Sequence, residues 1–186
     1  MTAEIDIERK ELLAEIEYWN GQIAINSKII ELAFFKVFVK FEKFIIDSIT
    51  RYSIGQKSSF DYAPKRRLEF ESPDHFMDTV NNRDFFEINE RLEKIVKQVF
   101  EDDNPISFFF SSSDKQFYEK LKCLRNYIAH ESDFSRMKYI RQTLNNGDFI
   151  TPIEYLLKPY SKKNSNSNYT MFITMVETYS ESILRN

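Results

Sequence analysis

The chain is poor in the residues that break or cross-link a backbone. Its 186 residues include 3 Gly, 5 Pro, 2 His and one cysteine, Cys123. A single Cys excludes an intrachain disulfide and any zinc site built on several thiolates. Two His exclude a three-histidine metal centre and leave little histidine chemistry. Scarce Gly and Pro argue against the closely spaced tight turns of an all-β sandwich or barrel. Neither GxGxxG nor GxxxxGKS/T occurs, so the Gly-rich phosphate loops are absent. No apolar run reaches the ~18–20 residues that cross a bilayer, so no membrane segment is expected. Residues 1–20 carry six acids against Arg9 and Lys10, the reverse of a basic secretory leader. The expected setting is therefore the reducing cytoplasm, with the Asn168-Tyr169-Thr170 sequon unused. A net charge of -3 gives no global basic signature for nucleic acid.

What remains is 42% hydrophobic and 30% charged, the balance of a globular chain. The pattern predicts one all-α domain over 1–186: an N-terminal helix within 1–20, a helical core over 22–145 and a C-terminal helical extension over 151–186. Residues 4–18 read as a helix with Ile5, Leu12, Leu13 and Ile16 as its apolar minority, interrupted at Trp19-Asn20-Gly21. Residues 22–53 carry the strongest helical signal. Lys36, Lys40, Lys43, Asp47 and Arg51 form one polar stripe, and almost everything else is apolar. Such a helix is central, or shared with a partner chain. Gly55 is placed to end it. Residues 56–72 read as a connection, and Ser72-Pro73-Asp74 as a helix start.

An amphipathic helix is predicted over 84–100 from Phe85, Ile88, Leu92, Ile95, Val96 and Val99. Phe108-Phe109-Phe110 should tuck against the core. The next helix runs from about Lys115 to Glu131, with Ser113 and Gln116 as a capping box and Phe117, Leu121, Leu124 and Ile128 as its stripe. Helices over 134–144, 152–157 and 169–184 follow, with a polar loop over 161–168.

The chemistry sits on the helix of residues 115–131. At ~100° per residue, Asn126 and His130 fall on the face opposite the apolar stripe, one turn apart. Arg125 falls on the flank. Imidazole is the side chain suited to acid–base work near neutrality. Guanidinium stays charged and can clamp two phosphate oxygens. Together they suit metal-free RNA cleavage, the base taking the ribose 2′-hydroxyl proton and the Arg stabilising the charged phosphorus. The departing 5′-oxygen needs an acid, and His75 is remote in sequence. A two-fold dimer would bring two Arg125/His130 pairs together. On spacing alone the pattern is also that of an ordinary solvated helix face.

The run Arg125-Asn126-Tyr127-Ile128-Ala129-His130, preceded by Leu124 and followed by Glu131-Ser132, resembles the R-x4-6-H motif of the HEPN superfamily. Asn126 supplies the polar residue that follows the Arg in that pattern. The early helix with Phe41, Glu42 and Phe44 is similar too, and the likeness covers about residues 22–145. It is greatest to HEPN proteins of bacterial toxin–antitoxin, abortive-infection and restriction-associated systems. The resemblance implies an all-α homodimer joined through its motif helices. It implies a metal-independent endoribonuclease leaving 2′,3′-cyclic phosphate and 5′-hydroxyl ends, with no cofactor and no metal. Arg125 and His130 carry over as the catalytic pair, and Asn126 as the supporting polar residue. The partners implied are RNA, a second copy, and an antitoxin or defence-system protein. Some family toxins have a modifiable Tyr two residues after the His. Ser132 stands there in this chain, so that control is not implied.

Other residues stay open between function and packing. Glu42, on an apolar helix face, is either a supporting group near Arg125 or His130 or a structural ion pair. Glu131 and Ser132 are further candidates for support. Residues 115–141 hold seven Lys/Arg and three Asp/Glu. Lys120, Lys122, Arg136, Lys138 and Arg141 could track a phosphate backbone, and Lys65-Arg66-Arg67 is a weaker candidate. Tyr127 and Phe134 either stack a base or pack in the core. Glu101-Asp102-Asp103 reads as a solvated helix end. A non-catalytic HEPN-like module that binds RNA, nucleotide or a protein in a larger complex is the alternative function.

Overall fold

The computed structural model describes residues 4–80, 88–102, 104–112 and 114–185. Among them the chain is all-α, with nine α-helices and one two-stranded hairpin. The helices are α1 (Glu4–Ile25), α2 (Ile30–Ser53), α3 (Pro73–Val80), α4 (Glu90–Val99), α5 (Pro105–Ser111), α6 (Asp114–His130), α7 (Asp133–Lys138), α8 (Pro152–Leu157) and α9 (Asn168–Ser182). Strands β1 (Pro159–Ser161) and β2 (Asn164–Ser167) are antiparallel. The chain divides into two compact units. The first takes residues 1–14, 40–112 and 177–186; the second takes 15–39 and 113–176.

The expected break at Trp19-Asn20-Gly21 does not occur; α1 runs through it. Gly21 is exposed in mid-helix, a position that costs about 1 kcal/mol against Ala and no more. The break falls instead at Asn26, whose side-chain oxygen accepts from the Lys28 N–H at 3.1 Å. That local bond gives the backbone an alternative to the helix ladder.

In the first unit the buried apolar residues are Ile5 and Leu12 of α1, and Phe41, Phe44, Ile45, Ile49 and Tyr52 of α2. Leu92, Ile95, Val96 and Val99 of α4 join them. Phe109 meets Tyr179 edge-on at 4.9 Å. Distant segments are clasped by polar bonds. Tyr52 donates to the Ile183 carbonyl at 2.6 Å, and Ser58 to that of Leu184 at 2.7 Å. The buried Asp6 carboxylate accepts from the Ser59 N–H and hydroxyl at 2.8 and 2.6 Å. The polar stripe of α2 is partly spent on ion pairs, Arg51 with Glu8 at 2.6 Å and Lys40 with Glu11 at 2.7 Å.

Helix α4 begins at Glu90, later than residue 84. Asn89 caps it, accepting from the Arg91 and Leu92 N–H groups at 2.9 and 3.1 Å. The expected start at 84, Phe85 and the Ser113 cap lie outside the described residues. Phe108-Phe109-Phe110 forms part of α5, so the three rings fan out. Phe109 and Phe110 are buried and Phe108 is 61% exposed. The basic run Lys65-Arg66-Arg67 is also mostly structural. Arg66 donates to the Ser53 carbonyl at 3.1 Å, and Arg67 to that of Phe100 at 2.9 Å while pairing with Asp102.

In the second unit the core is a stack of rings. Phe38 of α2 lies 5.3 Å from Tyr118 of α6 and 5.9 Å from Phe172 of α9. Phe34 meets Phe172 edge-on at 5.0 Å. Residues 161–168, expected as a loop, hold the turn and second strand of the hairpin instead, whose first strand begins at Pro159. Its turn is held by Ser161, whose hydroxyl accepts from the Lys163 and Asn164 N–H groups. Asn168 of the sequon is buried and donates to the Tyr155 carbonyl at 2.8 Å. Burial pushes the Tyr169 phenol up to about 12. No helix among the described residues is long and apolar enough to cross a membrane.

Gly55 closes α2 as the pattern requires, with φ +84°. Its N–H donates to the Tyr52 carbonyl at 3.0 Å and the Gln56 N–H to that of Arg51 at 3.1 Å, the Schellman arrangement. A Cβ there would stand 2.9 Å from the Arg66 guanidinium. Gly55→Ala should therefore destabilise the chain by about 1–2 kcal/mol. Urea unfolding checks it, as a lower midpoint at unchanged slope.

Candidate functional site

The motif helix α6 lies wholly in the second unit. Its stripe is as the periodicity requires for Phe117, Leu121 and Leu124, all buried, while Ile128 is half-buried. His130 is the last residue of α6 and is exposed, on the polar face where the 3.6-residue period puts it. Asn126, one turn earlier, is half-buried. No hydrogen bond joins the Asn126 and His130 side chains among the described residues. Arg125 is half-buried, and its guanidinium carbon stands 5.3 Å from the centroid of the Phe38 ring. That is cation–π range. The Arg125 guanidinium thus rests against the Phe38 ring.

The turn after His130 is made by unusual backbone. Glu131 adopts φ +46°, left-handed for a non-Gly residue, and its N–H donates to the Tyr127 carbonyl at 2.9 Å. Such a conformation costs of order 1 kcal/mol and persists where the surroundings over-determine it. Here Ser132 does so by capping α7. Its hydroxyl accepts from the Ser135 N–H at 3.2 Å, and its own N–H donates to the Ser135 hydroxyl at 3.1 Å. Ser132, a candidate supporting group, is thus occupied in holding the corner.

An aromatic cluster fixes the corner from below. Tyr127 stacks on Tyr139 at 5.3 Å with planes 8° apart. Tyr139 meets Phe149 and Tyr155 edge-on, and its hydroxyl donates to the Ile150 carbonyl at 3.2 Å. Burial pushes the Tyr139 phenol well above its ordinary value. The chain around it, Tyr139–Thr143, is wound as a π-helical turn, a local widening often found at functional sites. Tyr127 is a packing residue. Phe134, the other candidate for stacking, is 64% exposed.

The cations split in the same way. Arg136 and Lys138 are exposed and rest on rings, Arg136 over Phe149 and Lys138 over Phe134, each 4.5 Å from the centroid. Arg141 is exposed and Lys122 half-buried. Cys123 is buried against Gln142, its Sγ donating to Oε1, and burial pushes its thiol up. Glu42 is a buried carboxylate of the first unit, 6% exposed. Among the described residues no three His, Cys, Asp or Glu side chains group to hold a metal. Asp103 of the acidic run lies outside those residues.

One group escaped the sequence reading. A hollow of about 440 Å³ beside the end of α6 is lined by Glu31, Leu32 and Phe35 of α2 and by Ile128 and Ala129. Burial there raises the Glu31 carboxyl above its ordinary range, and the charge of Glu131 raises it further. Nothing linear points to this, because 31 and 131 are brought together only by the fold.

Family models, curated proteins and solved structures were compared with the chain, and none matches.

The raised carboxyl has a consequence with a definite sign. The folded chain holds the Glu31 proton more tightly than the unfolded chain does. That contribution to stability is full below the unfolded value of about 4.3. It is lost as pH rises through the higher folded value. Glu31→Gln should raise Tm at pH 7 by about 1–2 °C and give no gain near pH ~3.5. Thermal melts of both proteins across this range check it.

Proposed function

We propose that the chain is a HEPN-type, metal-independent endoribonuclease. It works as a homodimer in the cytoplasm of a bacterium, as a toxin or antiphage effector. One observation carries the reading. His130 stands exposed at the end of α6, with Asn126 one turn behind it and Arg125 on the flank just before Asn126, on a helix whose opposite stripe is buried. That is the arrangement the R-x4-6-H resemblance requires. The exposed Arg136, Lys138 and Arg141 nearby supply phosphate contacts.

In this mechanism His130 takes the proton from a ribose 2′-hydroxyl. The 2′-oxygen attacks phosphorus, the bond to the 5′-oxygen breaks, and a 2′,3′-cyclic phosphate and a 5′-hydroxyl result. Arg125 swings from Phe38 to clamp the charged phosphorus, where a bidentate guanidinium fits two oxygens. The leaving oxygen takes its proton from the second copy's imidazole. Dimerisation is supported by an apolar stripe left uncovered on α2. Leu32 and Val39 are 47% and 43% exposed, Phe35 is half-buried, and the hollow against Ile128 and Ala129 continues them. A contiguous exposed apolar face beside the motif marks an interaction surface.

A second reading is favoured by the seat of Arg125 on Phe38. There the guanidinium packs, and the chain is a non-catalytic module binding RNA or an antitoxin or defence-system partner.

The readings separate on one experiment. His130→Ala should lower RNA cleavage by about 10²–10⁴-fold, with folding and dimer intact by circular dichroism and sedimentation. Arg125→Lys should lower it too, because an ammonium cannot clamp two oxygens. Cleavage by the wild type should persist in EDTA and leave cyclic phosphate ends. Equal cleavage by wild type and both variants would falsify the catalytic assignment.

A further inference from the structure

Phe134 and Met137 are 64% and 61% exposed, side by side on α7. Water is a poor environment for a phenylalanine ring, and two large apolar groups at i and i+3 make one patch. With Ile140, Asn146, Lys138 and Arg141 they line a hollow of about 340 Å³. The hollow therefore combines an aromatic floor with two cations on its rim. Its aromatic neighbour Tyr127 is spent on packing against Tyr139; Phe134 is not. The carboxylates of Glu131 and Asp133 are near in sequence but do not line the hollow, whose charged lining is Lys138 and Arg141.

We infer that this hollow is a base-stacking subsite for single-stranded RNA. An unpaired base lies on the Phe134 ring and the adjoining phosphates meet Lys138 and Arg141. The inference rests on the ribonuclease reading and names the form of its substrate. The chemistry favours RNA over an apolar peptide, because Lys138 and Arg141 line the hollow beside the ring. Every base has a π-face, and a ring beside a positive groove is how single strands are held without sequence preference. Bases in a duplex are stacked on each other and cannot reach such a floor. Lys138, 4.5 Å over the ring, keeps the site occupied when RNA is absent. Its flexible stem lets the ammonium move to a phosphate without any backbone change. Position agrees as well. Phe134 follows His130 by four residues, at most about 14 Å of extended chain, so the stacked base is close to the cut.

Fluorescence anisotropy on the full chain tests this, in a His130→Ala background that prevents cleavage. The probe is a labelled single-stranded oligoribonucleotide of about ten nucleotides, against a hairpin duplex of the same composition. Phe134→Ala should weaken the single strand by about tenfold or more. Phe134→Trp should restore binding, and the duplex should bind weakly in all three. Equal affinity with and without the Phe134 ring overturns the inference, as does absence of single-strand binding by the parent. Loss of dimer in Phe134→Ala, read by sedimentation, also overturns it and makes the patch a contact between copies. Failure of the two readings is distinguishable. Phe134-dependent binding without any cleavage by the wild type leaves the subsite and removes the nuclease. Cleavage by Phe134→Ala with an unchanged KM does the reverse.

Discussion

A helix that is apolar around most of its circumference cannot stay in water, and α2 is such a helix. Its first half places Phe34 and Phe38 in one unit, and its second half places Phe41, Phe44, Ile45 and Ile49 in the other. At about 25 cal/mol per Å² of apolar surface removed from water, each of these rings supplies roughly 2–3 kcal/mol. Other elements cover these rings within each unit. In the second unit, α6 and α9 meet Phe38 through Tyr118 and Phe172. The motif helix therefore owes its orientation to the ring it packs on. Arg125 rests on the same ring from the flank. A single side chain of α2 thus serves both as core and as the seat of the residue proposed to act on phosphate.

The corner between α6 and α7 shows how local chemistry and packing divide the work. Ser132 caps one helix while Glu131 ends the other in a left-handed turn. Tyr127, Tyr139, Phe149 and Tyr155 lock the two sides together beneath it. The result is a bend with His130 exposed just before it and Phe134 exposed just after it. In the proposed cleavage such placement would matter, because a reacting group held about 1 Å out of position loses much of its effect.

Much of this is legible in the sequence. The polar stripe of α2, the Gly55 terminus, the Ser72-Pro73-Asp74 start, the helix over 152–157 and the stripe of α6 follow from period and capping, which are local. Placing His130 on the polar face needed only 100° per residue, and it is exposed. Other readings misplaced the local rule. The break after α1 lies at Asn26, where a side-chain bond competes with the helix, and Gly21 merely costs a little helix stability. The polar stretch around 161–167 became a hairpin, since a serine hydroxyl can close a turn that composition alone reads as loop.

The sequence by itself determined the helical class, the positions of most helix ends and the face on which His130 and Asn126 lie, because 3.6-residue periodicity and capping are written in neighbouring residues. Tertiary structure alone decided which aromatic residues are floor and which are exposed. Tyr127 and Phe134 are indistinguishable in the sequence, yet one is stacked on Tyr139 and the other faces water. It also gave Arg66 and Arg67 partners in Ser53, Phe100 and Asp102, and brought Glu31 into the field of Glu131. Burial and electrostatic shifts depend on groups far apart in the chain, and only the fold sets those distances.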